Sequence, residues 1–169
     1  AIVAGIRAYN TQDWLPGVQE QLMHYVENGG NYIVQYNTAS RDLRYRDFGP
    51  FPFTLSRERV TEENAAVEFL LPGHPVLNEP NKIDNRDFDF WVQERGLYFA
   101  SDWDEAYDAP IGWHDEGEPT RAGGLLIAEK GKGSFMYTGI SFFRELPAGV
   151  AGAYRLLANL VSYQNPDDE

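Results

Sequence analysis

The sequence predicts a three-layer α/β domain: a mostly parallel sheet with helices on both faces and a C-terminal hairpin. Three observations predict it. The chain opens on a near-continuous apolar run, residues 1–6, of the kind a parallel strand covered on both faces requires. A helical stripe and a second strand follow closely enough to make a βαβ unit. Towards the other end, two strand-like runs flank Lys130-Gly131-Lys132-Gly133, where glycine supplies the positive φ of a tight hairpin turn.

Residues 1–6 read as a central strand. Central strands need neighbours on both edges, so the N-terminal part of the fold is expected to lie outside this chain, in a longer polypeptide. A loop over 7–11 leads to a helix that Asp13 can cap, with Pro16 in the first turn, where no backbone donor is lost. Leu15, Val18, Leu22 and Val26 recur at helical spacing and mark its buried stripe. Asn28-Gly29-Gly30 stops it, since glycine accepts the left-handed conformation of a C-cap. Tyr32 to Tyr36 is the second strand, and the unit should be right-handed and parallel.

Residues 39–63 break this pattern. Arg41, Arg44, Arg46, Arg57 and Arg59 gather there with Phe48, Phe51 and Phe53, and the segment reads as one long connection. Long connections in compact domains are usually functional or mobile. Residues 65–71 read as a strand closed by Pro72-Gly73, and 81–87 as a turn and short helix. Residues 88–100 form an aromatic segment extended in its second half, and 101–123 an acidic loop. Strands at 124–129 and 134–141 make the hairpin. Pro147 then leads into a last helix with Val150, Ala153, Tyr154, Leu157 and Val161 on one face. The domain spans 1–164, and 165–169 should fray as a tail.

A chain of 169 residues fits one domain. Its 14 basic and 26 acidic side chains give a net charge of −12, which repels phosphate backbones and argues against a nucleic-acid partner. The apolar runs are strand-sized, well short of the ~20 residues of a membrane span. Cysteine is absent, which excludes disulfides, thiolate metal sites and thiol nucleophiles. His24, His74 and His114 show no zinc-motif spacing and read as structural or solvated. Asp84, Asp87 and Asp89, and Asp102, Asp104 and Asp108, alternate without the glycine and bidentate glutamate of a calcium loop, so they read as solvated acidic turns. No metal and no cofactor is expected.

Several runs carry a family resemblance: Tyr25-Val26-Glu27-Asn28-Gly29-Gly30, His74-Pro75-Val76-Leu77, and Glu129 to Gly133 followed by Phe135-Met136-Tyr137-Thr138-Gly139. They resemble class I glutamine-amidotransferase-like domains of the trehalose-utilisation type, which implies a flavodoxin-like three-layer fold. Trp91-Val92-Gln93-Glu94-Arg95-Gly96 and residues 142–150 are more specific, and are similar to the C-terminal domain of large bacterial LmbE-like (PIG-L family) deacetylases. An active glutaminase of this fold has a cysteine on the turn after the strand that here ends near Tyr36 and Asn37, and a His-Pro-Glu after the last long strand. This chain has no cysteine, and Phe143-Arg144-Glu145 stands in the second place. Without thiolate and imidazole the amide cannot be attacked, and glutaminase activity is excluded.

In open parallel sheets ligands gather beyond the carboxyl ends of the strands. The candidate ligand-binding residues are therefore Arg7, Tyr9 and Asn10 after the first strand, Gln35, Asn37 and Thr38 after the second, and Arg144 and Glu145 after the last. Gln93, Glu94 and Arg95 join them from the aromatic segment. Guanidinium forks, amides and carboxylates of this kind read sugar hydroxyls or a carboxylate ligand. The competing reading pairs Arg144 and Glu145 with Arg95 and Glu94 as a buried ionic network that pins loops. Trp91, Tyr98, Phe99 and Trp103 suit either sugar stacking or, the better reading, core.

The resulting expectation is a non-catalytic accessory domain of a larger LmbE-like protein, binding a carbohydrate-like small molecule or packing on other domains of the same polypeptide. The resemblance places it in the periplasm or outside the cell, with the cytoplasm left open. Two alternatives stand beside it: a hydrolase using Glu94 or Glu145 as general base, and a structural or homodimerising module.

Overall fold

The central strands alternate inside runs that are apolar throughout. In β2 (Asn31–Gln35), Tyr32 and Val34 face one side and Ile33 the other, and all are buried. β8 (Gly133–Thr138) sets Phe135 and Tyr137 against Met136, and β7 (Leu125–Lys130) sets Leu126 and Ala128 against Leu125 and Ile127. The hydrophobic clusters of the molecule sort by this parity. Tyr32, Val34, Leu126, Ala128, Phe135 and Tyr137 belong to one cluster, and Ile33, Leu125, Ile127 and Met136 to another.

The structure, a computed structural model, describes residues 1–164. With β1 (Ile2–Ala4) the main sheet has the order β1-β2-β8-β7. β1 and β8 both run parallel to β2, in registers that place Val3 beside Ile33 and Ile33 beside Met136, while β7 runs antiparallel to β8. A short helix α1 (Ala8–Thr11), a 3-10 turn (Leu15–Val18) and helix α2 (Gln19–Glu27) connect β1 to β2. Leu15 and Val26 pack on the first face of the sheet. Beyond β8 come α3 (Phe142–Glu145) and α4 (Ala151–Ser162), which closes the second face with Ala153, Leu156 and Leu160. Helix, sheet and helix make the three layers the sequence predicts, with its mostly parallel sheet and C-terminal hairpin.

The hairpin turn works as the glycines suggest. Gly131 adopts φ 62°, and a Cβ there would lie 2.6 Å from the Glu27 carbonyl oxygen. A Cβ on Gly133 would meet the Gly30 oxygen at 2.2 Å. The turn therefore seats against the end of α2, where Lys132 N–H donates to the Glu27 carbonyl at 3.1 Å.

The residues between β2 and β7 depart from expectation. The connection predicted over 39–63 contains an eight-residue strand, β3 (Phe53–Val60), antiparallel to β5 (Gly96–Trp103). Its pairing slips in register at Thr54/Leu55, Leu55/Glu58 and Glu58/Arg59, so the strand lacks a clean alternation that a sequence reading could detect. The strand predicted over 65–71 shrinks to β4 (Glu68–Phe69), paired with β6 (Ile111–Gly112) inside the predicted acidic loop.

Three further expectations need correction. β1 is not central: it is shorter than 1–6 and lies at the sheet edge, with Ile2, Val3 and Ile6 exposed, because the strands after β2 all add on its other side. Asp13 makes no cap; the helix is entered through the 3-10 turn, with Pro16 in its first positions. The buried face of α4 is rotated from the predicted one, since Tyr154 and Val161 are exposed while Leu156, Asn159 and Leu160 are buried. The predicted tail 165–169 lies outside the described residues. Among the described residues no helix is long and apolar enough to cross a membrane.

Candidate functional site

The carboxyl ends of β1 and β2 are stitched together by a small set of polar groups. Arg7 turns the chain out of β1 with a left-handed backbone, φ 58°, and its N–H donates to the Tyr36 carbonyl at 2.7 Å. α1 begins there, and the orphan N–H of Tyr9 in its first turn finds the Asn37 side-chain oxygen at 2.9 Å. Asn10 and Thr38 close a reciprocal pair, with Thr38 N–H donating to Asn10 Oδ1 at 2.9 Å and Asn10 Nδ2 to the Thr38 carbonyl at 3.2 Å. Asn37 Nδ2 donates to the Gln35 carbonyl at 3.1 Å. Tyr9, Asn10, Gln35, Asn37 and Thr38 thus come together as expected, but the amides of Asn10 and Asn37 are committed to backbone.

Below this rim Tyr9 is buried. Its hydroxyl donates to Gln19 Oε1 at 2.6 Å and lies 2.8 Å from the Tyr32 hydroxyl, and burial pushes its pKa far above the ordinary tyrosine range. The Tyr9 ring stacks between Phe48 at 4.6 Å and Tyr45 at 6.0 Å. Outside it opens a pocket of about 440 Å³ lined by Tyr9, Asn10, Gln12, Asp13, Pro16, Asp42, Arg44 and Tyr45. Gln12 is occupied by Thr11 and Trp14. The side chains of Asp13, Asp42 and Arg44 make no hydrogen bond or ion pair among the described residues, which leaves two carboxylates and a guanidinium facing the opening.

On the β8 side of the rim, Tyr36 stacks on Tyr98 at 5.6 Å and 19°, and Phe143 stands 5.3 Å from it. Arg144 lies over the Phe143 ring at 4.7 Å and donates through Nε to Glu94 Oε1 at 2.7 Å. Burial raises the Tyr36 pKa, against the opposing pull of Arg7 and Arg144 and with Tyr98 and Glu94 adding to the rise. The charges of Arg7, Arg144 and Glu94 thus all act on the Tyr36 phenol. Gln93, with φ 71°, is exposed, and its N–H donates to Glu63 Oε2 at 2.7 Å.

Arg95 and Glu145 sit deeper, and their partners are internal. Arg95 donates to the carbonyls of Ala65 and Phe88 and packs against the Phe88 and Trp91 rings; burial pulls its pKa to about 10. Glu145 is fully buried. It accepts the Val92 N–H at 3.0 Å and the Ser141 hydroxyl at 3.3 Å, and burial raises its pKa. The predicted four-residue ionic network is thus divided. Arg144 pairs with Glu94, while Arg95 and Glu145 are held mainly by backbone and hydroxyl groups.

The remaining expectations resolve as packing or caps. Trp91 and Phe99 are core, while Tyr98 is half-buried at the rim. His74 caps the 3-10 turn Pro75–Leu77 through Nδ1 and stacks on Tyr163. His24 is exposed beside Glu27, and His114 beside Glu68. Asp84 and Asp87 form a capping box around the turn Asn85–Phe88. Sequence reasoning missed Tyr45, Asp42, Tyr36 and Phe143 as site residues. Its one available signal was the arginine- and aromatic-rich segment 39–63, which supplies Arg44 and Tyr45.

No protein-family model matches this chain, and no curated protein is significantly similar to it in sequence. Among solved structures it is similar to the cytoplasmic protein STM3548 from Salmonella typhimurium, with a TM-score of 0.58 and 16% identity over 96% of this chain and 70% of that one. At that identity the likeness is one of fold.

Proposed function

We propose that this chain is a non-catalytic accessory domain that binds a carbohydrate-like small molecule in the pocket beside Tyr9. One observation carries the reading. Asp13, Asp42 and Arg44 face an opening of about 440 Å³, without partners among the described residues, next to the ring of Tyr45. Carboxylates accept sugar hydroxyls, a guanidinium donates to them, and an aromatic ring packs on the C–H face of a pyranose. A volume of this order suits a mono- or disaccharide.

A binding role is favoured over hydrolysis by Glu94 or Glu145, because Glu94 is engaged by Arg144, Glu145 is buried on Val92 and Ser141, and neither lines this pocket. A general base needs a free carboxylate within reach of substrate. The similarity of 91–96 and 142–150 to LmbE-like deacetylases further supports placing the domain in a larger protein of that kind, periplasmic or secreted. Calorimetric titration with neutral mono- and disaccharides tests the binding. Heat that disappears in Tyr45→Ala and Arg44→Gln is expected; silence across the panel with folded protein would overturn the reading.

A further inference from the structure

Around Tyr36 at the rim, two guanidinium groups and two phenols gather, and we propose that they form a site for a carboxylate-bearing, hydroxylated small molecule of the sugar-acid type. This site is separate from the pocket beside Tyr9 and does not depend on it.

The donors are open. Arg144 spends only Nε on Glu94, and its terminal nitrogens make no hydrogen bond among the described residues. Arg7 is exposed, and its guanidinium likewise has no hydrogen bond or ion pair among them. A guanidinium fork matches a carboxylate in shape and charge. The hydroxyls of Tyr36 and Tyr98 also lack a partner among the described residues, although Tyr36 is nearly buried and its ring is fixed by Tyr98 and Phe143. Neither hydroxyl is sealed from the outside, so a ligand can reach both. Burial raises the Tyr36 pKa, so the phenol stays protonated and can donate.

Charge selects the ligand. Two guanidinium groups against the single Glu94 carboxylate leave one net positive charge, which a monoanion neutralises. A phosphate dianion would bring a second negative charge up to Glu94. The Glu94 carboxylate, with one oxygen on Arg144, can accept a ligand hydroxyl through the other. Two of the four non-glycine residues with left-handed backbones among the described residues, Arg7 (φ 58°) and Tyr98 (φ 54°), belong to this group, and such strain is found at ligand sites.

The test is an amide chemical-shift and calorimetric titration of the whole chain with glucuronate, glucose, glucose 6-phosphate and acetate. Glucuronate should bind with shifts at Arg7, Tyr36, Tyr98 and Arg144. Glucose, acetate and glucose 6-phosphate should each bind about tenfold more weakly. Arg7→Gln and Tyr98→Phe, which leave the Arg144–Glu94 pair intact, should each cut glucuronate affinity by about tenfold. Lys82→Gln, the same charge change at an exposed lysine beside α4, which meets the opposite end of β2, should not. Absence of glucuronate binding, equal loss in Lys82→Gln, or equal or tighter binding of any of the other three compounds would overturn the proposal. Shifts confined to Arg44 and Tyr45 would overturn it too, while supporting the pocket.

Discussion

Arg95 holds the carbonyl oxygen of Ala65 between Nε and Nη2, at 3.0 and 2.7 Å, and reaches the Phe88 carbonyl with Nη1 at 2.7 Å. One buried side chain thus ties the start of β5 to two loops that have no strand to anchor them. Removing it leaves two buried carbonyls without donors and opens a space beside Phe88 and Trp91. Arg95→Ala should cost about 3 kcal/mol or more in urea unfolding. Arg95→Lys should recover only part of this, since an ammonium cannot reproduce the planar fork.

Glu145 should make stability fall with pH in a way glutamine does not. Its pKa is raised by burial, with the hydrogen bonds from Val92 and Ser141 and the charge of Arg95 opposing the rise. A raised carboxyl pKa means the folded state prefers the protonated form. That contribution is whole below the ordinary glutamate range and is lost as pH climbs through the raised value. Glu145→Gln mimics the protonated form at every pH. The variant should match the parent protein in acid and gain on it towards neutrality, in urea midpoints measured from about pH 4 to about pH 8. A constant gap across that range would refute the assignment.

The parts of the fold legible in the sequence were those in which burial covers both faces or a helix repeats. β2, β7 and β8 are largely apolar because both sheet faces are covered, and the predicted helical stripe survives in Leu15 of the 3-10 turn and Val26 of α2. β3 was not legible. Its residues Arg57 and Arg59 face water, Glu58 pairs with Arg121, and its bulges break the alternation. The same split holds at the site. Arg7, Tyr9, Asn10, Asn37 and Arg144 follow from the rule that strand ends carry ligands. Asp42, Arg44 and Tyr45 meet Tyr9 only because the chain after β2 folds back over α1, and no local pattern encodes that return.

Asp115 should show the opposite pH dependence to Glu145. Burial alone would raise its pKa, but N–H groups of Thr61 and Glu62, the Thr61 hydroxyl and the Arg121 charge together outweigh it and hold the carboxyl below the usual aspartate range. Its contribution is therefore present above the ordinary aspartate value and is lost as pH falls through the lowered one. Asp115→Asn should cost about 1–2 kcal/mol near neutral pH, with the gap to the parent shrinking in acid. A gap independent of pH would show that the charge has no part in holding residues 61 and 62.

Gly152 permits a sharper test, because helix propensity and packing predict opposite signs. It lies in α4, where replacing glycine by alanine ordinarily stabilises a helix by about 1 kcal/mol. Here a Cβ would stand 1.8 Å from the Asp87 carbonyl oxygen and 2.4 Å from the Asp87 Cα. These are backbone atoms of the turn Asn85–Phe88, which is pinned by its own capping box and by Arg155 on Asp87 at 2.7 Å. The turn cannot yield without breaking those bonds, so α4 must move off the sheet. Gly152→Ala should lower stability by about 3 kcal/mol, while Ala158→Gly, further along the same helix, should cost only the propensity term of about 1 kcal/mol. Thermal melts of the two variants separate the effects, and a Gly152→Ala protein as stable as its parent would mean that α4 does not approach Asp87 as closely as described.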